Sequence, residues 1–454
     1  MNKHTLTGPQ KILVKKIIRT QAQSLEKRAY LLNVLVLEDE ILQFFYYKAP
    51  FTLNAVLVDK SDARLVLWKS VRPLWQTRAS IRPLRIKQKD NMLMFNYHSA
   101  SKKNQVMFKL NSLDKLQEMK RPQVLKRAAK NPILTPDARH DWESAAVFNS
   151  GAIYLQDKVH FIYRAVTSTG ESVLGYAASE DGVQVSERSS QPIYRSQESR
   201  MDGVDKTQTS FLYCSGNSWS GCEDPRLTHI EDTIYMTYTA FDAYHPPFMA
   251  LTSIGVEDFI KQQWNWKKPV QISPPLEMHK NWVIFPEKIN GSYAILHSLT
   301  PSISIEYVDA LDHNLMIKSH YCPAQEHLQW DNWMRGVGPP PLKTKAGWVI
   351  LYHAMDRNDP NKYKLGAMLL DLKDPTKVLG RSPCPILEPR AVYENEGCKS
   401  GVIYAGGAVI LDKTLIVYYG AADTVLCAAS INLNALVVSI QQNRAIQLIT
   451  LKRK

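Results

Sequence analysis

The sequence predicts an all-β fold, a five-bladed β-propeller behind a basic α+β accessory region, and three observations predict it. A turn followed by an apolar strand recurs five times after Asn131; most copies carry a second strand behind a loop; and the positive charge is concentrated before that point. Self-similarity at the pitch of one small sheet marks radial repetition, because each copy buries its faces only against its neighbours.

Taken in order, residues 10–30 place Ile12, Leu13, Ile17, Ile18, Ala22, Leu25 and Ala29 at helical spacing among Lys15, Lys16, Arg19, Lys27 and Arg28, which predicts a basic amphipathic helix. Such a helix suits a membrane surface or its own domain. Short apolar runs at 54–58, 64–68 and 92–97 predict strands, and 112–130 a short helix and basic linker closed by Asn131-Pro132. Residues 1–130 thus form an accessory domain and 131–454 the propeller. The recurring strands run from Asp157 to Ala165, Asp232 to Ala240, Gly291 to Ser298, Gly347 to Ala354 and Asp412 to Ala421, and their partners occupy 172–179, 248–254, 363–370 and 425–431.

The net charge of +13 divides unevenly: residues 1–130 hold 26 Lys+Arg against 9 Asp+Glu, +17, which leaves −4 for the rest. The first third therefore fits an anionic surface such as a membrane, nucleic acid or an acidic glycan, although no aromatic-interleaved basic motif marks a nucleic-acid site and a solvated basic domain accounts for the charge equally. No apolar run reaches the length of a membrane span, and the N-terminal charges are mixed into the apolar residues, unlike a signal peptide. Six cysteines with no CxxC spacing argue against structural zinc and a disulfide scaffold, and make a reducing cytoplasm the expected setting.

The chemistry centres on Gly221-Cys-Glu-Asp-Pro-Arg226, which sets two adjacent carboxylates and an arginine around a proline. The proline predicts an extended chain at Asp224, entering the strand at 233–240 from a loop. A turn in which Asp and Arg simply pair is the alternative. Aligning the repeated strands puts Arg164, Thr239, His297, His353 and Gly420 in one column, and equivalent positions of a radial repeat ring its axis. Arg164, His297 and His353 are therefore expected to make a cationic pocket. Asn149, just before the first strand, and Asp423, just after the last, are short polar side chains of the kind sugar hydroxyls need. Trp219, Trp282 and Tyr418 are of a size to stack on a sugar ring or to fill the core. A glycosidase ordinarily needs two carboxylates. Here Asp224 faces Arg164, Arg226, Lys280, His297 and His353 instead, a set suited to an anionic nucleophile. Inorganic phosphate fits, because it arrives charged and needs no general base.

From about Asn131 to Leu433 the chain resembles glycoside hydrolase family 130, the mannoside phosphorylases and β-mannosidases on a five-bladed propeller. The resemblance rests on Asn131-Pro-Ile-Leu-Thr-Pro136, Trp142-Glu143 through Phe148-Asn149, Tyr163-Arg164-Ala165, Gly221 to Arg226, Lys280 to Lys288, Gly338-Pro-Pro-Pro341 with Tyr352-His353, and Tyr418 to Thr424. It implies Asp224 as the general acid, acting through a hydroxyl of the bound mannose, Asn149, Ser150, Arg164 and Asp423 as contacts to the mannosyl unit, and Lys280 and His353 as phosphate ligands, with Arg226 and His297 beside them. Many phosphorylases continue the Leu-His pair with Arg, whereas Ser298 follows His297 here, removing one charge-assisted contact of about 1.5–3 kcal/mol. The expected function is inverting phosphorolysis of β-mannosides to α-mannose 1-phosphate, with phosphate as co-substrate and neither metal nor cofactor. The alternatives are a β-1,2-mannosidase, for which Glu287 is the nearby carboxylate, a mannosyltransferase using a nucleotide sugar, and a non-catalytic glycan-binding propeller, possibilities separated by products and by the need for an acid at Asp224. A homo-oligomer is compatible with the sequence, which leaves the assembly state open.

Overall fold

The computed structural model describes residues 30–36, 40–48, 51–59, 66–69, 75–77, 79–89, 92–99, 102–110 and 125–451, apart from 197–212, 243, 312–314, 316, 318–329, 358, 383 and 443–447. They fall into two compact units, and the helix expected at 10–30 lies outside the described residues.

The first unit holds two antiparallel sheets. In one, β1 (Tyr30–Val36), β2 (Glu40–Lys48), β3 (Phe51–Asp59) and β4 (Val66–Lys69) follow in order, with β5 (Trp75–Thr77) also on β3. In the other, β6 (Arg82–Lys89), β7 (Met92–Ser99) and β8 (Lys102–Leu110) form a meander. Period-two alternation buries Leu42 and Phe44 on β2 and Leu53 and Ala55 on β3, with Phe44 opposite Ala55, and the Phe51 ring stacks on Phe95 at 6.0 Å to join the sheets. The strand Leu448–Leu451 pairs with β8, so this stretch belongs with the first unit and not with the C-terminal domain to which the sequence assigned it. Long-range pairing of this kind leaves no local sequence signal.

Among the described residues the second unit holds four sheets. The largest, of eight strands, is two antiparallel modules joined by a short parallel pairing of Glu171 and Ser172 with Ser220 and Gly221, so five antiparallel modules follow one another along the chain. A short strand, β9 (Lys126–Arg127), comes first in the chain. The first module is β10 (Ala146–Leu155), β11 (Lys158–Val166), β12 (Glu171–Ser179) and β13 (Val185–Arg188); the second is β14 (Ser220–Ile230), β15 (Thr233–Phe241), β16 (Phe248–Gly255) and β17 (Val270–Gln271). The third is β18 (Val283–Ile284), β19 (Tyr293–Ser298) and β20 (Ser304–Val308). The fourth comprises β21 (Trp333–Val337), β22 (Leu342–Thr344), β23 (Gly347–Asp356), β24 (Asp359–Leu370) and β25 (Val378–Arg381). The fifth is β26 (Ile403–Leu411), β27 (Thr414–Ala421) and β28 (Val425–Asn432), completed by β9, which pairs with β28.

The five strands found by repetition are β11, β15, β19, β23 and β27, each paired with the first strand of its module. The first strands are β10, β14, β18, β21 and β26, and two of them, β10 and β14, contain Asn149-Ser150-Gly151 and Gly221 to Pro225, residues that favour turns. First strands pack on one another: β10 touches both β14 and β26, and β14 touches β18 and β26. Apolar clusters fill the spaces between modules; one joins Ile162, Leu174 and Tyr176 of the first to Met236 and Tyr238 of the second, another Phe161 and Val173 to Ile416 and Tyr418 of the fifth.

The joint between β9 and the fifth module is polar. Asn131 exchanges two hydrogen bonds with the backbone of Ala428, both 2.8 Å, and Arg127 binds both carboxylate oxygens of buried Glu394 at 2.7 Å. Glu394 also accepts from Tyr419 Oη at 2.9 Å. Removing one partner of such a pair leaves the other uncompensated, so Glu394→Ala is expected to cost about 3 kcal/mol in urea unfolding; a change below about 0.5 kcal/mol would show that the joint is closed by backbone pairing alone.

Candidate active site

The site is built from the first strands and their bulges. Register shifts interrupt β10 between Phe148 and Gly151 and β14 between Glu223 and Arg226, at equivalent places in successive modules. A bulge sets two residues against one and re-aims the extra side chain. The re-aimed residues are Asn149 and Asp224, both in the left-handed region (φ 47° and 51°), which Asn and Asp tolerate better than branched residues. Asp224 is therefore neither extended nor in a loop, contrary to what its proline neighbour suggested, and Asn149, which precedes the first repeated strand, itself lies inside β10. Gly221 (φ 112°) permits the entry into β14, since a Cβ there would run into the carbonyl oxygen of Ser172.

Asn149 Nδ2 donates to Asp224 Oδ1 at 2.8 Å. Arg164, opposite Phe148 on β11, reaches both acidic residues, with Nη1 3.4 Å from Asp224 Oδ1 and Nη2 3.0 Å from Glu223 Oε1. Its remaining donors bind Ser172 Oγ (2.9 Å), Ser218 Oγ (2.6 Å) and the carbonyl of Ser215 (2.6 Å). Lys280 Nζ lies 2.8 Å from Glu223 Oε2 and 3.3 Å from Ser215 Oγ. Arg226 ties three modules together: Nε donates to Gly338 O at 2.7 Å, Nη1 to the backbone oxygen of Asp224 at 3.0 Å and Nη2 to Tyr404 Oη at 3.1 Å. Tyr404 Oη in turn donates to Asn281 Oδ1. Of the three cations, Arg164 and Arg226 are buried and Lys280 is the most open to solvent.

His353, fully buried on β23, stacks on Tyr404 with ring centres 4.3 Å apart, and its Nε2 accepts the Ala405 N–H at 2.9 Å. That bond fixes the neutral tautomer with hydrogen on Nδ1. Burial, reinforced by the Arg226 charge, lowers its pKa to about 3. His297 goes elsewhere: its ring lies 5.4 Å from that of Trp282 and beside His279, and burial lowers its pKa to about 4. The expected cationic pair of histidines is thus corrected to one neutral donor near Arg226 and one neutral ring on a tryptophan, because burial disfavours the imidazolium. Ser298 turns onto the Thr300 carbonyl at 2.8 Å, and Glu287 is bound to Lys343 at 2.7 Å. Trp282 and Tyr418 are core residues, Tyr418 donating to Gly182 O at 2.8 Å; half-buried Trp219 donates to Thr169 O at 2.6 Å.

Burial opposes the charge on Asp224, but Arg164, Arg226, the Asn149 amide and Lys280 together hold its pKa below the ordinary range. Asp423, in the left-handed turn after β27, behaves oppositely: burial and the nearby Asp224 and Glu223 charges outweigh Arg164 and Lys399 and raise it to about 6. Folding therefore favours protonated Asp423, a contribution complete below about pH 4 and lost as pH rises through about 6. Asp423→Asn, which keeps the turn, is expected to show a smaller fall in Tm than the wild type between about pH 4 and pH 7.5. Equal falls would mean that Asp423 titrates as in the unfolded chain.

Three buried polar atoms near the acid have no protein partner: Asn149 Oδ1, Ser150 Oγ and His353 Nδ1. Buried polar groups are seldom left so, and here they offer two acceptors or hydroxyls and one donor to a polar ligand. Asp137, His140 and Glu143 lie close enough together to ligate a cation, but Glu143 already accepts from Tyr163 (2.7 Å) and Arg188 (2.6 Å), and Asp137 from Arg139 (2.6 Å). The sequence did not assign roles to Glu223, Tyr404 or Asn281. Glu223 and Asn281 stood inside quoted motifs, whereas Tyr404, opposite Gly420 on β26, lay outside every motif and repeat and gave no signal.

A family profile described as beta-1,4-mannooligosaccharide phosphorylase, glycoside hydrolase 130, matches residues 124–442. The chain is 38% identical over 319 residues to a 1,2-beta-oligomannan phosphorylase of Thermoanaerobacter sp., covering 67% of this chain and 96% of that protein. It is 35% identical over 313 residues to a beta-1,2-mannobiose phosphorylase of the same organism, covering 66% and 94%. Among solved structures, the beta-1,2-mannobiose phosphorylase of Listeria innocua in complex with beta-1,2-mannobiose overlays with a TM-score of 0.54 at 24% identity, covering 70% of this chain and 99% of that one, a likeness of fold.

Proposed function

We infer, from the premise that this chain belongs to glycoside hydrolase family 130, that it is a β-mannoside phosphorylase, cleaving the bond with inorganic phosphate and releasing α-mannose 1-phosphate with inversion. The observation that carries this at the site is the set of unpartnered buried atoms, Asn149 Oδ1, Ser150 Oγ and His353 Nδ1, around one carboxylate flanked by Arg164, Arg226 and Lys280. Asn149, Ser150 and Asp423 take the mannosyl hydroxyls, with Arg164 behind them as the brace of both carboxylates. Lys280 and the Nδ1–H of His353 take phosphate, and Arg226 fixes the loop and tyrosine between them. His297 is left out of the phosphate set.

In the reaction the C1–O bond to the leaving sugar breaks as a phosphate oxygen bonds to C1 from the opposite face. Asp224 supplies the proton to the leaving oxygen, through a mannose hydroxyl as the family resemblance implies, and phosphate loses its own proton to solvent. A hydrolase would need a second carboxylate to activate water. Glu223, next to the acid, is instead paired with Arg164 and Lys280, which disfavours it as that base.

Within the same proposal, the five modules are the blades of a closed propeller, a reading supported by the contact of β10 with both β14 and β26 and by β9 completing the last sheet. The linkage is taken as β-1,2, after the relatives, the setting as cytoplasmic and the basic first region as facing an anionic surface. No described helix is long and apolar enough to cross a membrane. Incubation with β-1,2-mannobiose and phosphate tests the reading: α-mannose 1-phosphate is expected, whereas free mannose alone would identify a hydrolase.

A further inference from the structure

The general acid presents a difficulty that the geometry itself answers. Asn149, Arg164, Arg226 and Lys280 all favour the carboxylate form of Asp224, yet a proton donor must carry its proton when the bond breaks. Lys280, the most open of the three cations, is also the one proposed to take phosphate, so an incoming dianion would draw on its charge and add a like charge beside the carboxylate.

We propose that seating of the phosphate is what loads the proton onto Asp224, so that the acid is armed only in the ternary complex and the mannoside is protected from hydrolysis while the anion site is empty. This rests on the phosphorylase reading and adds to it the order of events. Asp224 carboxylate, the phosphate dianion and one proton from solvent give the carboxylic acid beside bound phosphate. After transfer the proton resides on the leaving sugar, the product phosphate ester releases its own proton, and Asp224 returns to the carboxylate.

Geometry selects Asp224 over its neighbour as the group that takes the proton. Glu223 is fully buried, with Lys280 at 2.8 Å and Arg164 at 3.0 Å, whereas the nearest cationic nitrogen to Asp224 Oδ1 is 3.4 Å away and Asp224 keeps some exposure. The other titratable groups facing the site are Asp423 beyond Arg164, and His353, Tyr404 and Tyr363 on the Arg226 side, burial pushing the Tyr363 phenol up to about 12. Neither His353, with Nε2 engaged by a backbone N–H, nor Tyr404, donating to Asn281, is free to exchange a proton near neutrality.

The test is calorimetric titration of the full chain with sulfate, a tetrahedral dianion that does not itself titrate near neutrality, in the presence of β-1,2-mannobiose and in two buffers of different ionisation enthalpy at about pH 7. Proton uptake approaching one per sulfate is expected for the wild type and for Asp423→Asn, and near zero for Asp224→Asn. Sulfate binding without uptake, or uptake unchanged in Asp224→Asn, overturns the linkage and leaves the phosphorylase reading standing. Uptake lost in Asp423→Asn and kept in Asp224→Asn assigns the proton to Asp423 and overturns the proposal as well. Failure of both sulfate and phosphate to bind would remove the anion site, and with it both readings.

Discussion

Asp224→Asn is expected to lower kcat by about 10²–10⁴-fold, the range general acid catalysis supplies, equivalent to about 3–5 kcal/mol of transition-state stabilisation. Asn keeps an oxygen for the Asn149 amide, which donates at 2.8 Å, and tolerates the left-handed backbone at φ 51°, so the bulge and the sugar site should persist. Binding of β-1,2-mannobiose, measured by calorimetry, should therefore change much less than turnover. Because the lost function is proton donation, a mannoside with an acidic aryl leaving group should lose far less rate than mannobiose. Equal losses on both substrates, or a variant within threefold of wild type, would show that Asp224 is not the acid.

The second large effect is expected from a glycine. Gly420 on β27 pairs with Tyr404, and a Cβ at this position would run into Asn149 Oδ1. Gly420→Ala must rotate the Asn149 carboxamide and break its bond to Asp224, a hydrogen bond to a charged group with a net contribution of about 1.5–3 kcal/mol. A fall in kcat/KM of about 10–100-fold is the expected result, with about 1–3 kcal/mol of lost stability from overpacking. Since the methyl acts through Asn149, Asn149→Ala combined with Gly420→Ala should be hardly worse in activity than Asn149→Ala alone. Additive losses would mean that Gly420 matters for some other contact.

How far the sequence went can be followed residue by residue. Strands β11, β15, β23 and β27 are continuous apolar runs bounded by turns and were legible at once. The strands that carry the site were not, because Asn149-Ser150-Gly151 and Gly221 to Pro225 are made of residues that favour turns. In the structure those residues produce bulges inside strands, where a left-handed residue and a missing Cβ are required. The structure brings Arg164 within 3.4 Å of Asp224 and pairs Lys280 with Glu223, whereas the sequence counted the histidines as cations and gave Glu223 no part. Charge state depends on burial and on partners from other modules, and neither is a local property.

What the sequence by itself determined is the β-rich repeat, the adjacent carboxylates and arginine of Gly221 to Arg226 and the asymmetry of charge, since periodicity, residue chemistry and composition are written along the chain. What only the tertiary structure decided is which groups face that acid and in what protonation state. Asn149, Glu223, Lys280 and Tyr404 meet Asp224 and Arg226 only because the first strands pack together, and the burial this creates makes His353 neutral, raises Asp423 and leaves Asn149 Oδ1, Ser150 Oγ and His353 Nδ1 without a protein hydrogen-bond partner.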